Sequence, residues 1–285
     1  MVYWIIGIGL ALIAVAYLAL RQDLHVVRYA LESDRLPPEA RMRLVVVSDL
    51  HNTIYPGSQQ ALAGVILGEK PDAVLVTGDF FDEHGDAQGA RLLAGALQGR
   101  VACYYTPGNH EYRAPLPEAT FRQLGDLGCV VLRNRAALVR LGHANVVLAG
   151  LDDPERAKID EGYDWETALA HLGEEVAGLP GYRILLAHRP DAIDEYRQMD
   201  FDLILSGHAH GGQWRIPGWI NGVYAPGQGL FPRYAGGLYL LDDLAFIVSR
   251  GLSNNTWVPR IFNPPELVVI ELTGKGRQNH SKGGA

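Results

Sequence analysis

The sequence predicts an α/β fold, with a sheet that is at least partly parallel and a separate apolar helix at the amino terminus. Short β-rich runs alternate with helical stretches through residues 44–106, polar residues follow the last residue of each run, and residues 2–20 carry no charge. A strand–helix–strand rhythm marks βαβ units. Open α/β sheets gather their ligand-binding groups beyond the carboxyl ends of the strands.

The first element is the apolar stretch VYWIIGIGLALIAVAYLAL at residues 2–20. Spanning a bilayer takes about 20 apolar residues, so this length just suffices. Tyr3, Trp4 and Tyr17 sit near its ends, where amphipathic rings favour the headgroup level. A cleaved signal peptide is the competing reading, because Ala14-Val15-Ala16 resembles a cleavage site, but no Lys or Arg precedes the apolar run. A buried core helix is disfavoured by the terminal position and by Arg21-Gln22-Asp23, which follows directly. The stretch is therefore expected to be a retained single-pass anchor over residues 1–21. Arg21, Arg28, Arg35, Arg41 and Arg43 lie beyond it, and the positive-inside rule then favours a cytoplasmic domain.

Residues 24–31 have the mixed polarity of an edge strand, broken by Pro37-Pro38. Strands are expected at 44–47, 73–77 and 101–106, with helices at 58–67 and 87–97 between them. The second half is richer in strands: a hairpin at 139–141 and 145–149 around Gly142-His143, then runs at 184–187, 203–206, 237–241, 245–249 and 267–272, with a helix at 165–176. The stretch 211–263 is rich in Gly, Pro and aromatic residues. One domain is expected over 22–273, followed by a polar, disordered tail over 274–285.

The chain has 285 residues and 48% hydrophobic content, enough for a buried core. A formal net charge of −7 leaves no basic patch and argues against nucleic acid as the partner. Cys103 and Cys129 lie outside every motif, which excludes a disulfide framework or a thiolate metal site.

Five segments carry the chemistry: Asp49-Leu50-His51, Gly78-Asp79-Phe80-Phe81-Asp82, Gly108-Asn109-His110-Glu111, Ala187-His188 and Gly207-His208-Ala209-His210. Taken singly they are ordinary. Gly-Asp after a strand is common turn chemistry, and a lone Asp-x-His seldom binds anything. Together, each just after an expected strand, they supply the donor set of a two-metal hydrolase. Two cations about 3.5–4 Å apart activate a water and clamp phosphate oxygens, and holding them needs a bridging carboxylate among neutral imidazoles and oxygen donors. Asp49 and His51 alternate along an extended segment, Asp79 is placed to bridge, Asn109 offers a neutral oxygen, and His188, His208 and His210 complete the set. Mixed imidazole and carboxylate donors without Cys suit Mn²⁺, Fe or Zn²⁺ better than Ca²⁺ or Cu(I); Mn²⁺ is the first choice.

These ordered motifs resemble the calcineurin-like metallophosphoesterase superfamily across most of residues 43–272. Gly207-His208-Ala209-His210-Gly211-Gly212-Gln213 and Ser249-Arg250-Gly251-Leu252 look like its YkuE/YaeI-type branch of bacterial membrane-associated phosphoesterases, which also includes a UDP-2,3-diacylglucosamine pyrophosphatase. The resemblance implies a four-layer α/β/β/α sandwich with two divalent metal ions at one sheet edge. It implies Asp49, His51 and His210 on the first metal, Asp79 as the bridge, and Asn109, His188 and His208 on the second. His110 then lies near the leaving group as a general acid or cationic stabiliser, Asp82 orients His110 by a hydrogen bond, and Glu111 supports. Gly211 and Gly212 are expected to give the backbone room near the phosphate. Arg215, Arg233 and Arg250 are candidates for anion binding, with a structural role the plainer expectation for each.

The resulting expectation is an active phosphoesterase at the bacterial inner membrane, cleaving a phosphodiester or pyrophosphate of a lipid-linked or other phosphorylated small molecule. The alternative of another class is a metal-binding membrane scaffold without catalysis. Oligomeric state cannot be read from the sequence.

Overall fold

The computed structural model describes residues 1–84, 87–254 and 258–276. The chain begins with helix α1 (Val2–Ala19), in which only Ala19 is buried. At about 1.5 Å per residue this helix is long and apolar enough to cross a membrane. Strand β1 (His25–Ser33) follows, then β2 (Arg41–Val47), α2 (Gln59–Gly68), β3 (Ala73–Thr77), α3 (Gln88–Leu97) and β4 (Ala102–Thr106). Next come α4 (Asn109–Arg113), α5 (Pro117–Asp126), β5 (Cys129–Val131) and the hairpin β6 (Arg135–Leu141) and β7 (Ala144–Leu151). The remainder is α6 (Trp165–Ala177), β8 (Tyr182–Ala187), α7 (Ile193–Tyr196), β9 (Leu203–Ser206), the short pair β10 (Tyr224–Ala225) and β11 (Gly229–Leu230), β12 (Gly237–Leu241), β13 (Leu244–Val248) and β14 (Glu266–Gly274).

Local chemistry accounts for several of these boundaries. Helix α3 buries Ala90, Leu93, Ala94 and Leu97, the i, i+3, i+4, i+7 stripe of an amphipathic helix. Asp164 caps α6 by accepting from the Thr167 N–H at 2.8 Å. Pro117 opens α5, where its missing N–H is not needed.

The strands form two six-stranded sheets, ordered β1-β14-β2-β3-β4-β5 and β12-β13-β9-β8-β7-β6. β2 to β5 run parallel in the first, and β7, β8, β9 and β13 run parallel in the second. Residue alternation divides the apolar side chains among three layers. On β2, Leu44 and Val46 face the other sheet, while Val45 and Val47 face α2 and α3. On β8, Ile184 and Leu186 face the first sheet, while Leu185 and Ala187 face α6 and α7. Three apolar interfaces between four layers make an α/β/β/α sandwich, as expected.

The edge strand at 24–31 is present as β1, but its partner is β14, in parallel, far along the chain. The expected tail begins too early: Gly274 ends β14, and the Lys275 N–H donates to Ser33 O at 2.8 Å. The rest of that expectation, residues 277–285, lies outside the described residues. Cys103 and Cys129 are buried free thiols in register on β4 and β5.

Candidate metal centre

The parallel strands of both sheets end at the same side of the molecule, and their carboxyl ends carry the five segments. The backbone there is unusual. Asp49 (φ 50°), His51 (φ 47°), Asp79 (φ 48°), His208 (φ 64°) and His210 (φ 47°) all occupy the left-handed region. That conformation costs an L residue about 1–2 kcal/mol, and it persists where surrounding structure fixes it. Here hydrogen bonds fix it. The Asp49 N–H donates to Gly78 O at 3.1 Å, the His51 N–H to Asp79 O at 3.0 Å, and the Ser253 N–H to Asp49 O at 2.8 Å. The turn after each strand thereby points its side chain back into the gap between the sheets.

The donors converge there. Asp79 Oδ2 lies 3.0 Å from His188 Nε2 and 3.6 Å from His51 Nε2, between the two expected metal positions. Asp49 Oδ1 is 3.6 Å from His210 Nε2 and accepts the His208 N–H at 2.9 Å. The His51 and His210 rings stack at 5.1 Å, and those of His188 and His208 meet edge-on at 5.0 Å. Asp49, His51 and His210 form one group with donor atoms within 4.8 Å of one another, and Asp79, His188 and His208 form a second. Asn109 is buried on the residue after Gly108, whose Cα packs against Asp79 and the His188 ring.

These residues fit two divalent cations. His51 Nε2, Asn109 Oδ1, His208 Nε2 and His210 Nδ1 are buried without a hydrogen-bond partner, and Asp79 Oδ2 meets only the His188 ring, at 3.0 Å. Buried polar atoms are rarely left so; a cluster of them on imidazole, carboxylate and amide groups is the donor pattern a cation satisfies. Burial pushes the His208 pKa well below its usual range and that of His210 down to about 3, so both rings carry the free lone pair a ligand needs. At His188 burial works the same way, but the adjacent Asp79 carboxylate outweighs it and lifts the pKa to about 10. A cation between the two would answer the same electrostatic demand.

His110 stands at the rim, partly exposed, its Nε2 3.9 Å from Asp79 Oδ2. Its expected partner is corrected by the structure. Asp82 Oδ2 is 3.7 Å from His110 Nδ1, beyond hydrogen-bond reach, but 3.1 Å from His51 Nδ1. The carboxylate in contact with His110 Nδ1 is Glu83, whose extra methylene carries it across the turn. Asp82 is thus placed to orient the His51 ring, as carboxylates behind metal-binding imidazoles do. Burial acts to raise the Asp82 pKa, but hydrogen bonds from His51 and the His84 N–H prevail and bring it to about 2.

Two residues that matter were missed or underrated from sequence. Glu83 had no periodic or motif signal beyond its place next to Asp82. Glu111, expected to be a minor support, is fully buried and accepts backbone N–H bonds from Asp79 (3.1 Å), Phe80 (2.7 Å), Phe81 (3.0 Å) and Gly108 (2.8 Å). Its spacing is a signal: a Glu three residues after the N-cap reaches back to the cap N–H, the half of a capping box that a Gly N-cap allows.

Gly211 (φ 65°) and Gly212 (φ 65°) are needed for a different reason from the one expected: a Cβ there would strike Asn263 and Gly222 respectively. Arg250 is structural, bonded to Asn221 Oδ1 at 2.8 Å and paired with Glu266 at 3.3 Å. Arg233 lies over the Tyr234 ring.

Comparison with known proteins agrees with this geometry. Residues 42–212 match the calcineurin-like phosphoesterase family. The chain is 29% identical to the uncharacterised metallophosphoesterase YkuE of Bacillus subtilis, over 81% of this chain and 78% of that one. It is 26% identical to the phosphodiesterase YaeI of Escherichia coli, over 82% and 83%. A transmembrane protein with a metallophosphoesterase domain from Danio rerio is 32% identical over 72% of this chain and 50% of its own length. Among solved structures, the Thermus thermophilus sulfate thiohydrolase SoxB shares the fold, with a TM-score of 0.53 at 15% identity, over 84% of this chain and 57% of that one. Motifs, donor geometry and relatives agree, and the chain belongs to the calcineurin-like phosphoesterase family.

Proposed function

We propose that this protein is a membrane-anchored, dinuclear-metal phosphoesterase that cleaves a phosphodiester or pyrophosphate bond of a lipid-linked substrate. The observation that carries the chemistry is the convergence of buried donor atoms, those on His51, Asn109, His208 and His210 unpartnered, around the Asp79 carboxylate. Asp49, His51 and His210 would hold one cation, Asn109, His188 and His208 the other, and Asp79 both. Bound there, such a pair supplies an activated water and neutralises charge on the phosphoryl group.

The chain's own residues do the rest. His110 is placed at the open rim, where it can donate a proton to the leaving oxygen or stabilise charge there, and Glu83 fixes the orientation of its ring. Asp82 fixes His51, and Glu111 fixes the turns bearing Asp79 and His110. The name of the YaeI relative supports a diester substrate. Helix α1 and the transmembrane relative support a membrane location.

Purified protein with Mn²⁺ is expected to hydrolyse bis-p-nitrophenyl phosphate. Asp79→Asn or His110→Ala should lower turnover about 100-fold or more, the usual contribution of a positioned proton donor or charge stabiliser. Unchanged turnover in both variants rejects the assignment, and bound metal without turnover on any phosphoester favours a scaffold. A panel in detergent micelles, comparing nucleotide-linked lipids with water-soluble diesters, separates the lipid-linked reading from a soluble one.

A further inference from the structure

The region around and after the last two donor histidines is poor in charge. Residues 203–241 contain no Asp or Glu, and their only Lys or Arg residues are Arg215 and Arg233, in a chain of formal net charge −7. Large apolar side chains there face outward. Trp219 is 90% exposed, Leu230 69% and Phe231 66%, and Trp214, Ile216 and Tyr224 are also exposed. Trp219 sits at the tip of a tight turn closed by hydrogen bonds between Ile216 and Ile220. Tyr224 and Leu230 are paired across β10 and β11. Phe231 has φ 54°, a left-handed conformation that a bulky residue rarely adopts.

An unbroken set of backbone contacts ties this region to the foot of α1. The Phe262 N–H donates to Ala19 O at 2.7 Å, and Ile261 bridges to Trp214. The Val223 N–H donates to Gly212 O and Trp214 O, and the Phe231 N–H to Val223 O. Asn263 holds the same region to the donor turn, donating to His210 O at 2.7 Å. The exposed aromatics are therefore continuous with the end of α1 on one side and with the metal centre on the other.

We propose that the loops at residues 214–219 and 224–231 dock onto the bilayer surface beside the anchor, so that the metal centre opens at headgroup level. This rests on the reading of α1 as a membrane anchor. Exposed Trp and Tyr favour the interface, and loops that themselves carry no acid, with Asp191 beside Gly227 the neighbouring carboxylate, tolerate an anionic leaflet. Continuity with α1 selects lipid over a second copy of the chain as the occupant.

The test uses the full-length protein in vesicles of phosphatidylethanolamine and phosphatidylglycerol containing spin-labelled lipids. A polarity-sensitive fluorophore is placed on Leu10→Cys, Trp219→Cys or His143→Cys. Cys103 and Cys129 are buried and stay unlabelled. His143 lies in the β6–β7 turn, at the far end of the sheets. The proposal predicts quenching at positions 10 and 219 and none at 143, with the probe at 219 about 5–10 Å below the phosphates, the depth of interfacial elements. Quenching at 10 but not 219 overturns the docking face and leaves the anchor standing. Quenching at 219 alone supports docking and rejects the anchor. Quenching at neither rejects both. Self-quenching at 219 that grows with label density, without lipid quenching, assigns the face to a second copy and overturns the proposal.

Discussion

The edges of the two sheets build the candidate metal centre from different materials. The first sheet contributes oxygen: Asp49, Asp79 and Asn109 follow β2, β3 and β4, with His51 the one imidazole. The second contributes nitrogen: His188 follows β8, and His208 and His210 follow β9. The first edge is braced by a buried carboxylate, Glu111, bonded to two of its turns at once. The second leans on its neighbour, since the His188 Nδ1–H donates to Thr77 O (2.7 Å) and the His208 N–H donates to Asp49 Oδ1 (2.9 Å). Each expected cation takes donors from both sheets. The centre therefore exists only when the apolar interface between the sheets is formed, and metal binding should in turn stabilise that interface.

The largest way to break this arrangement is to remove the brace. Glu111→Gln leaves buried N–H donors facing an amide that cannot accept from all of them, and hydrogen bonds to a charged group are worth about 1.5–3 kcal/mol each. Loss of about 3 kcal/mol or more in urea unfolding of the metal-free protein is expected, with weakened binding at both metal positions. A change within error would show that the turns hold themselves.

A smaller wedge acts where the edges meet. A Cβ on Gly108 would overlap Asp79 Oδ1 and the His188 ring. Gly108→Ala should weaken one metal position about 10–100-fold, the usual effect of disturbing a ligand's support, as read by competition titration. Gly64→Ala in α2, where a Cβ meets nothing, should be silent. Equal effects of the two would contradict the contact.

The finest distinction lies in neighbouring carboxylates of the first edge. Asp82→Asn should cost about 10-fold or more in metal affinity, through His51. Glu83→Gln should leave metal content unchanged and lower kcat about 10-fold, with the loss growing for poorer leaving groups, if it acts through His110 as the proposed proton donor. The reverse pattern would restore Asp82 as the partner of His110.

The legible part of this molecule was local. The strands before Asp49, Asp79, Asn109, His188 and His208 announced themselves as short apolar runs ending in polar residues, so the placement of these candidate donors at strand ends followed from sequence order. Pairing over long distances was not legible: nothing in residues 24–31 or 267–272 says that β1 joins β14 in parallel. The partners of His51 and His110 were not legible either, because Asp82 and Glu83 are adjacent and only the turn geometry decides which carboxylate meets which ring. The outward-facing aromatics of the loops after His210 were visible as composition, but their exposure was not, since an apolar residue in a strand-poor segment is as readily core as surface.

The most direct test of the account is anomalous diffraction from crystals of the Mn²⁺-loaded protein. It predicts two ions about 3.5–4 Å apart on either side of Asp79, one touching Asp49, His51 and His210 and the other Asn109, His188 and His208. A single ion, or a pair in which the second sheet's histidines take no part, would contradict it.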